Sequence, residues 1–189
     1  MHKHFKIYKP YGFLSQFITN QKPGGTHKLL GDLYNFPAGT MSIGRLDKDS
    51  EGLLLLTTNG KLSTKITAGN IEKEYYVQLD GIITNEAISE LKKGVEISIH
   101  GKAYQTLECK VKKIDEIPTF PERAKIRDER HGPTSWISII ITEGKFRQVK
   151  KMTAAVGFPT LRLVRVRIGT ERIDQMQAGE IKELERVNL

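Results

Sequence analysis

The stretch that decides the fold is residues 44–58, GRLDKDSEGLLLLTT. Its first part is mostly polar and is bounded by Gly44 and Gly52, which is typical of a loop. The four leucines that follow do not alternate with polar residues, so we expect a central β-strand that is buried on both faces. Asp47 therefore lies in a loop at the mouth of a core strand, where a rigid scaffold can hold a catalytic side chain.

Outward from this segment, hydrophobic periodicity predicts strands and helices that interleave without strict alternation. Such an order favours an α+β fold with a mixed, largely antiparallel central sheet. Alternation over residues 107–111 places Cys109 on the inward side of a strand, where we expect it to serve packing. The further predicted strands are 75–79, 136–142 and 164–168. Two helices are predicted in the first half of the chain, a short one over 29–36 and one that is capped by Thr84 and ended by Gly94. A third helix is predicted from about Gly144 to Gly157, with an apolar stripe of Phe146, Val149, Met152, Thr153 and Val156.

Composition narrows the class of protein. The 189 residues carry 30 Lys and Arg against 22 Asp and Glu, a net charge of +8, and one cysteine. A single cysteine excludes a disulfide framework and cysteine-based zinc sites, and fits a reducing compartment. No apolar run approaches the roughly 20 residues of a membrane span, and residues 1–11 lack the apolar stretch of an export signal. We expect a cytoplasmic protein of one domain that does not contact membranes.

The positive charge is concentrated late in the chain. Residues 143–172 hold eight basic and two acidic side chains, a net charge of +6. Arg147, Lys150 and Lys151 would share one face of the last helix, and Arg165 and Arg167 would point outward from the following strand. Two such rows of cations can neutralise phosphates, which favours a nucleic-acid partner over the alternative of a merely solvated face.

The Asp47 loop has three interpretations. Its acids at alternate positions followed by Gly52 resemble the start of a calcium-binding EF loop, but Thr58 stands where a bidentate glutamate is required. A plain turn is the second interpretation, because Asp, Ser and Gly are common turn residues. The third is a catalytic carboxylate, which the position beside a core strand and Arg45 favours. Spacing alone does not decide between the last two.

The residues themselves resemble a known family. Residues 44–57 are similar to the signature of pseudouridine synthases, in the branch that includes the small-subunit ribosomal enzyme and its large-subunit relatives. Three further blocks resemble the motifs of that family in the same order, and two segments are similar to a large-subunit enzyme. The three blocks are residues 9–12 (KPYG), 73–77 (KEYYV) and 143–152 (EGKFRQVKKM) with the closing strand 161–169, and the two segments are 133–136 and 157–163.

The resemblance implies roles for individual residues. Asp47 matches the essential aspartate that acts while uracil is detached from ribose and reattached through carbon 5. Tyr75, in the block that also contains Lys73, matches the tyrosine that packs on the base and assists proton transfer. Lys150 matches the basic partner of the aspartate, with a phosphate contact as its alternative role, and Arg45 matches the arginine that holds the RNA open. Leu163 either lines the base pocket or packs in the core.

The resemblance also implies the wider organisation. We expect the catalytic fold of the family, with two lobes flanking an active-site cleft, over residues 1–189, and no separate N-terminal RNA-binding domain. No cofactor and no metal are implied. The expected partner of this monomer is ribosomal RNA or a pre-ribosomal large subunit, not DNA, with RNA contacts from Lys73, Arg147, Lys151, Arg165, Arg167 and the surface loop 115–134. The alternative is a catalytically silent RNA-binding or ribosome-assembly protein on the same fold.

Overall fold

A computed structural model of the chain describes residues 2–18, 27–123, 126 and 129–187. The chain divides into two compact units, Met1–Ile71 with Arg165–Leu189, and Glu72–Val164. The described strands are β1 His4–Lys9, β2 Met41–Ile43, β3 Glu51–Thr57, β4 Lys73–Asp80, β5 Glu96–Ile99, β6 Lys102–Gln105, β7 Lys110–Ile114, β8 Thr134–Ile141, β9 Thr160–Ile168, β10 Glu171–Arg172 and β11 Ile181–Leu184. The described α-helices are α1 Gly60–Ala68, α2 Asn85–Lys93 and α3 Gln148–Ala155, and short 3-10 helices lie at Leu30–Asp32 and Glu129–His131.

The first unit is built around β3. Its strand order is β11-β1-β3-β9, and β1 pairs antiparallel with both β11 and β3. Every residue of β3 is buried. Leu54 and Leu56 pack with Phe5, Ile7 and Leu30 in one apolar cluster. The prediction of a core strand after the Asp47 loop is therefore confirmed, because the unbroken leucine run provides an apolar side chain for each face.

The second unit has the strand order β9-β4-β8-β7, together with a separate hairpin of β5 and β6. β4 pairs antiparallel with β8 along its whole length, from Lys73 opposite Ile141 to Asp80 opposite Thr134. The Thr84 hydroxyl oxygen accepts a hydrogen bond from the Ala87 amide and caps α2, as predicted. The predicted α+β fold with a largely antiparallel sheet is confirmed.

Two predicted elements differ from the structure. The helix expected over residues 29–36 is only the 3-10 turn Leu30–Asp32. Leu30 belongs to the β3 cluster from this turn, and Phe36 packs against the cluster from the irregular chain that follows. The strand expected over 107–111 begins at Lys110 instead. Leu107 is exposed, and Cys109 is half-buried beside the end of α2, where its thiol donates to the Leu91 carbonyl at 3.1 Å. Burial raises the pKa of this thiol to about 11, consistent with packing.

The last helix is shorter than the sequence predicts. It begins at Gln148, and Arg147 adopts a left-handed conformation as its N-cap. Gln148 accepts from the Lys145 amide at 2.9 Å and donates to Glu143, which closes residues 143–148 into a turn. Phe146 was placed in the buried stripe, but the turn carries it outward and it is 56% exposed.

The loop 115–134 is anchored over its first part. Phe120 packs against Tyr76 and Trp136, and the guanidinium of Arg162 lies 5.4 Å from the centre of the Phe120 ring. Arg162 also donates to the Pro121 carbonyl at 2.8 Å. Arg162, counted in the basic run, is thus a buried structural side chain. In the part of the chain that the structure describes, no helix is both long and apolar enough to cross a membrane.

Candidate active site

Asp47 lies in a turn that leads directly into β3. The Ser50 amide donates to the Asp47 carbonyl at 3.1 Å, which closes the turn. The side chain of Asp47 is half-buried, whereas Arg45 is exposed. A carboxylate held on such a turn can serve as a nucleophile or a general base.

Both neighbours of Asp47 are held by one short segment that follows β1. The Ser15 hydroxyl donates to the Leu46 carbonyl at 2.8 Å and accepts from the Leu46 amide at 2.9 Å. The Gly12 amide donates to the Lys48 carbonyl at 2.8 Å. Ser15 and Leu46 are both buried, so these hydrogen bonds form away from water. The backbone position of Asp47 is therefore fixed from both sides.

Buried charges surround the base of this loop. Lys9, Glu51 and Arg165 are 0%, 2% and 3% exposed. The Lys9 ammonium donates to the carbonyls of Pro10 at 3.0 Å and Phe13 at 2.8 Å. Lys9 thereby holds the start of the segment that contacts the Asp47 turn.

Burial lowers the pKa of the Lys9 ammonium from 10.5 to about 7, because the charged form loses its hydration. Glu51, Asp49 and Asp47 oppose this shift of the pKa, whereas Arg165 adds to it.

Arg165 does not point outward, contrary to the prediction for the strand of residues 164–168. Its Nε donates to the Leu53 carbonyl at 2.8 Å. Within the described residues, its Nη2 has no hydrogen-bond partner. The alternation of side chains along a strand predicts which of them share a face, but not whether other parts of the protein cover that face. In the structure, the Arg165 side chain is covered. Arg167 is half-buried and donates to the Gly169 carbonyl.

The second unit holds the other predicted site residues. On β4, Tyr75 is 8% exposed, and the neighbouring Tyr76 packs on Phe120. Because successive side chains of a strand point to opposite faces, Tyr75 lies on the face that Phe120 does not contact. Lys73 is half-buried and donates to the Thr142 carbonyl at 3.0 Å. Leu163 is 5% exposed on β9.

The predicted cationic row of the last helix is only partly formed. Lys150 is half-buried on α3, next to the buried Val149. Lys151 donates to the Ser98 carbonyl of β5 at 2.6 Å. Arg147 precedes the helix as its N-cap, so it does not share the spacing with Lys150 and Lys151 that a continuous helix would give.

Two site residues were missed by the sequence reasoning. Ser15 carries no motif of its own, and nothing local marks its pairing with Leu46. Lys9 was quoted only as part of the opening block KPYG, and its complete burial next to a proline carries no compositional signal. Among the described residues, no three His, Cys, Asp or Glu side chains come together in a way that could hold a metal ion.

Comparison with known proteins places this geometry in a family. The family model described as RNA pseudouridylate synthase matches residues 3–155. The ribosomal large subunit pseudouridine synthase E of Vibrio parahaemolyticus is 43% identical over 180 residues, which cover 94% of this chain and 71% of that protein. The enzyme of the same name from Xanthomonas axonopodis pv. citri is 40% identical, covering 89% of this chain and 86% of that protein.

Among solved structures, a crystal structure of a pseudouridylate synthase superposes with a TM-score of 0.77 at 26% identity, covering 97% of this chain and 70% of the other. The region that the family model matches contains the Asp47 turn, β4 and α3, and these elements carry the residues of the sequence motifs. The chain belongs to the RNA pseudouridylate synthase family.

Proposed function

We propose that this chain converts a uridine of large-subunit ribosomal RNA to pseudouridine, with Asp47 as the catalytic carboxylate. The observation that carries the proposal is the fixed position of Asp47 within the family match. The Ser15 and Gly12 hydrogen bonds hold the backbone on both sides of Asp47, as an aspartate that must meet one atom of its substrate requires. The names of the relatives from Vibrio and Xanthomonas support the large-subunit assignment.

The reaction is an isomerisation. The bond between C1′ of the ribose and N1 of the uracil breaks, the uracil turns, and a bond forms between C1′ and C5. The proton on C5 leaves and N1 becomes protonated. All atoms and electrons of the uridine are conserved, so the balance requires no co-reactant. The target base must leave its stack, because the glycosidic bond is not accessible inside a helix.

We assign the supporting roles by the family motifs and the observed positions. Lys150 is the proposed basic partner of the catalytic aspartate, because it stands at the corresponding position of the family motif in residues 143–152. Tyr75 packs on the extracted uracil and assists removal of the C5 proton. Arg45 is exposed and suited to contact the RNA backbone. Leu163 is buried on β9, consistent with either lining the base pocket or packing in the core.

We assign the RNA contacts outside the catalytic residues to basic side chains that are exposed or half-buried. Lys73, Arg147, Lys151 and Arg167 remain candidates, and Arg165 is withdrawn because its guanidinium is buried. The loop 115–134 is a further candidate, although Phe120 and Arg162 anchor its first part. We assign the enzyme to the cytoplasm as a monomer acting on ribosomal RNA or a pre-ribosomal large subunit.

The proposal is tested in a strain that lacks this gene. Ribosomal RNA is treated with a carbodiimide that marks pseudouridine, and the marks are mapped by reverse transcription in both subunits. The strain is complemented with wild type, Asp47→Asn or Asp49→Asn. Asp49 lies in the same turn with a half-buried carboxylate, so it is a matched control for the removal of one charge.

We expect one large-subunit mark to be absent from the strain, restored by wild type and Asp49→Asn, and not restored by Asp47→Asn. Restoration by Asp47→Asn would overturn the catalytic assignment. A missing mark in the small subunit would overturn the substrate assignment. No missing mark, combined with tight RNA binding, would favour a silent binding protein.

A further inference from the structure

Phe146 and His100 form an exposed pair of parallel rings in the second unit. Their ring centres are 5.8 Å apart and their planes differ by 17°. Phe146 is 56% exposed, and His100 is also exposed. A single exposed phenylalanine is unremarkable, but two stacked and exposed rings from separate segments form an aromatic cluster that a third ring can join.

The hairpin that presents His100 has an unusual backbone. His100 and Gly101 connect β5 to β6, with Ile99 opposite Lys102, and both turn residues have positive φ, 50° and 79°. A two-residue turn with two positive φ values fits the twist of a hairpin and is dominated by Gly, Asn and Asp. His also adopts positive φ more readily than most residues, and here the turn places the His100 ring beside that of Phe146.

The two segments are held in place by polar contacts. The Lys151 ammonium lies 5.2 Å from the centre of the Phe146 ring and donates to Ser98 of β5. Glu143, just before the Phe146 turn, accepts hydrogen bonds from the Tyr104 hydroxyl of β6 and from Gln148 at the start of α3. The pair is thus preorganised, which lowers the entropy lost when a ligand binds.

Three lysines lie close to the pair along the chain or in space. Lys102 directly follows the His100–Gly101 turn and Lys145 directly precedes Phe146, and both are exposed. The Lys145 ammonium lies 4.8 Å from the centre of the Tyr104 ring, and the Lys151 ammonium lies 5.2 Å from the centre of the Phe146 ring. Glu143 keeps its negative charge, because its donors Tyr104 and Gln148 are neutral. Glu96 pairs with Gln105 at the far end of the hairpin from His100. The three lysines outnumber Glu143, so these named charges are net positive.

We propose that the His100–Phe146 pair, with Lys102, Lys145 and Lys151 close by, is a stacking platform for one unpaired base of the RNA substrate. This rests on the proposed function only in taking the substrate to be RNA. An exposed stack of two rings with lysines close by suits a nucleotide, whose base offers a π-face and whose phosphate offers negative charge. A protein partner would be expected to fill a groove with apolar anchors.

The test measures the affinity of the full chain for a single-stranded large-subunit RNA fragment by fluorescence anisotropy at fixed salt. Phe146→Ala removes the ring, Phe146→Leu keeps an apolar side chain without a flat face, and Phe146→Trp keeps the flat face. His100→Asn removes the imidazole and retains a residue that tolerates the positive φ of the turn. Thermal melting of each variant verifies that it is folded.

If a base stacks on Phe146, the substitution Phe146→Ala should weaken the affinity for RNA by about 5- to 150-fold. Phe146→Leu should lose a similar factor, Phe146→Trp should bind like wild type, and His100→Asn should lose several-fold. The dependence of affinity on salt should be unchanged in all four, because none removes a lysine, whereas Lys145→Gln should lower its slope by about 0.7.

Equal affinity of wild type, Phe146→Ala and His100→Asn would overturn the platform, as would wild-type affinity of Phe146→Leu. The assay reports binding without turnover, so it remains informative if the chain fails to isomerise uridine. In an active enzyme, Phe146→Ala should raise KM and leave kcat nearly unchanged, because stacking away from the reacting atoms is present in both ground and transition states. A lower kcat with unchanged KM would contradict the proposal.

Discussion

Replacing Ser15 with alanine removes both side-chain hydrogen bonds to Leu46, the residue before Asp47. The Leu46 amide and carbonyl then lose this partner in a buried setting. Each such loss costs about 1–3 kcal/mol, so we expect Ser15→Ala to lower the free energy of unfolding by about 2–6 kcal/mol. Across most of the range of about 5–15 kcal/mol that is typical of domains, the protein stays folded after this loss.

The same change should slow catalysis. With Leu46 released, the backbone of the Asp47 turn can move, and a displacement of about 1 Å in a reacting group costs on the order of 100-fold in rate. We expect kcat to fall by about this factor while KM changes little. Ser15→Thr keeps a hydroxyl group and should recover most of the rate.

The assay is tritium release from RNA labelled at C5 of uridine, combined with urea unfolding of each variant. Ser42→Ala is a matched control, because the Ser42 hydroxyl donates to the Ser15 carbonyl at 3.1 Å without touching Leu46. It should lower stability slightly and leave kcat near the wild-type value. A wild-type kcat for Ser15→Ala, or equal losses of kcat in both variants, would refute the positioning role.

Three further predictions concern Lys9, Gly94 and Arg165. Because burial lowers the pKa of Lys9, the unfolded chain binds more protons than the folded one between about pH 7 and 10.5, and the free energy of unfolding should rise with pH across this window. In Lys9→Met, urea unfolding should show a dependence of this free energy on pH that is smaller by up to about 1.4 kcal/mol per pH unit. An unchanged pH dependence would contradict the burial of a titrating lysine. Gly94→Ala would place a Cβ 2.2 Å from a backbone oxygen at φ +86°, so it should cost well over ~1 kcal/mol in denaturant unfolding, and more than Gly157→Ala, where φ is +87° and the space is open. Arg165→Met should lower the free energy of unfolding by about 1–3 kcal/mol by leaving the Leu53 carbonyl without its donor, and a fall in the salt slope of RNA binding in this variant would show that Arg165 contacts phosphate after all.

Patterns within a short stretch of sequence predicted the elements that depend mainly on residues close in sequence. The leucine run of β3 needs both faces covered, and it is buried throughout. Thr84 caps α2 through a hydrogen bond that spans three residues. Both features depend on residues close in sequence, so spacing alone was sufficient to place them.

Long-range contacts explain what the sequence did not predict. Arg165 and Arg167 share one strand and one face, but only the fold shows that Arg165 reaches the Leu53 carbonyl, 112 residues away in the chain. Phe146 has helical spacing with Val149 and Met152, yet the Glu143–Gln148 hydrogen bond closes a turn that carries it outward. Periodicity does not include such competing hydrogen bonds.

The residues of the candidate site also divide into those that a local motif indicates and those that depend on a distant partner. Asp47, Tyr75 and Lys150 could be proposed from the sequence because each belongs to a contiguous motif. Ser15 was not found, because its function is to bond Leu46, 31 residues later. A positioning residue is defined by the partner that it holds, and the partner is visible only in the fold.

The catalytic role of Asp47 is measured directly by single-turnover tritium release from C5-labelled large-subunit RNA, with excess wild type, Asp47→Asn or Asp49→Asn. We predict release by wild type and Asp49→Asn and background release by Asp47→Asn, with RNA affinity of all three within a few-fold. Appreciable release by Asp47→Asn would contradict the assignment of Asp47 as the catalytic carboxylate.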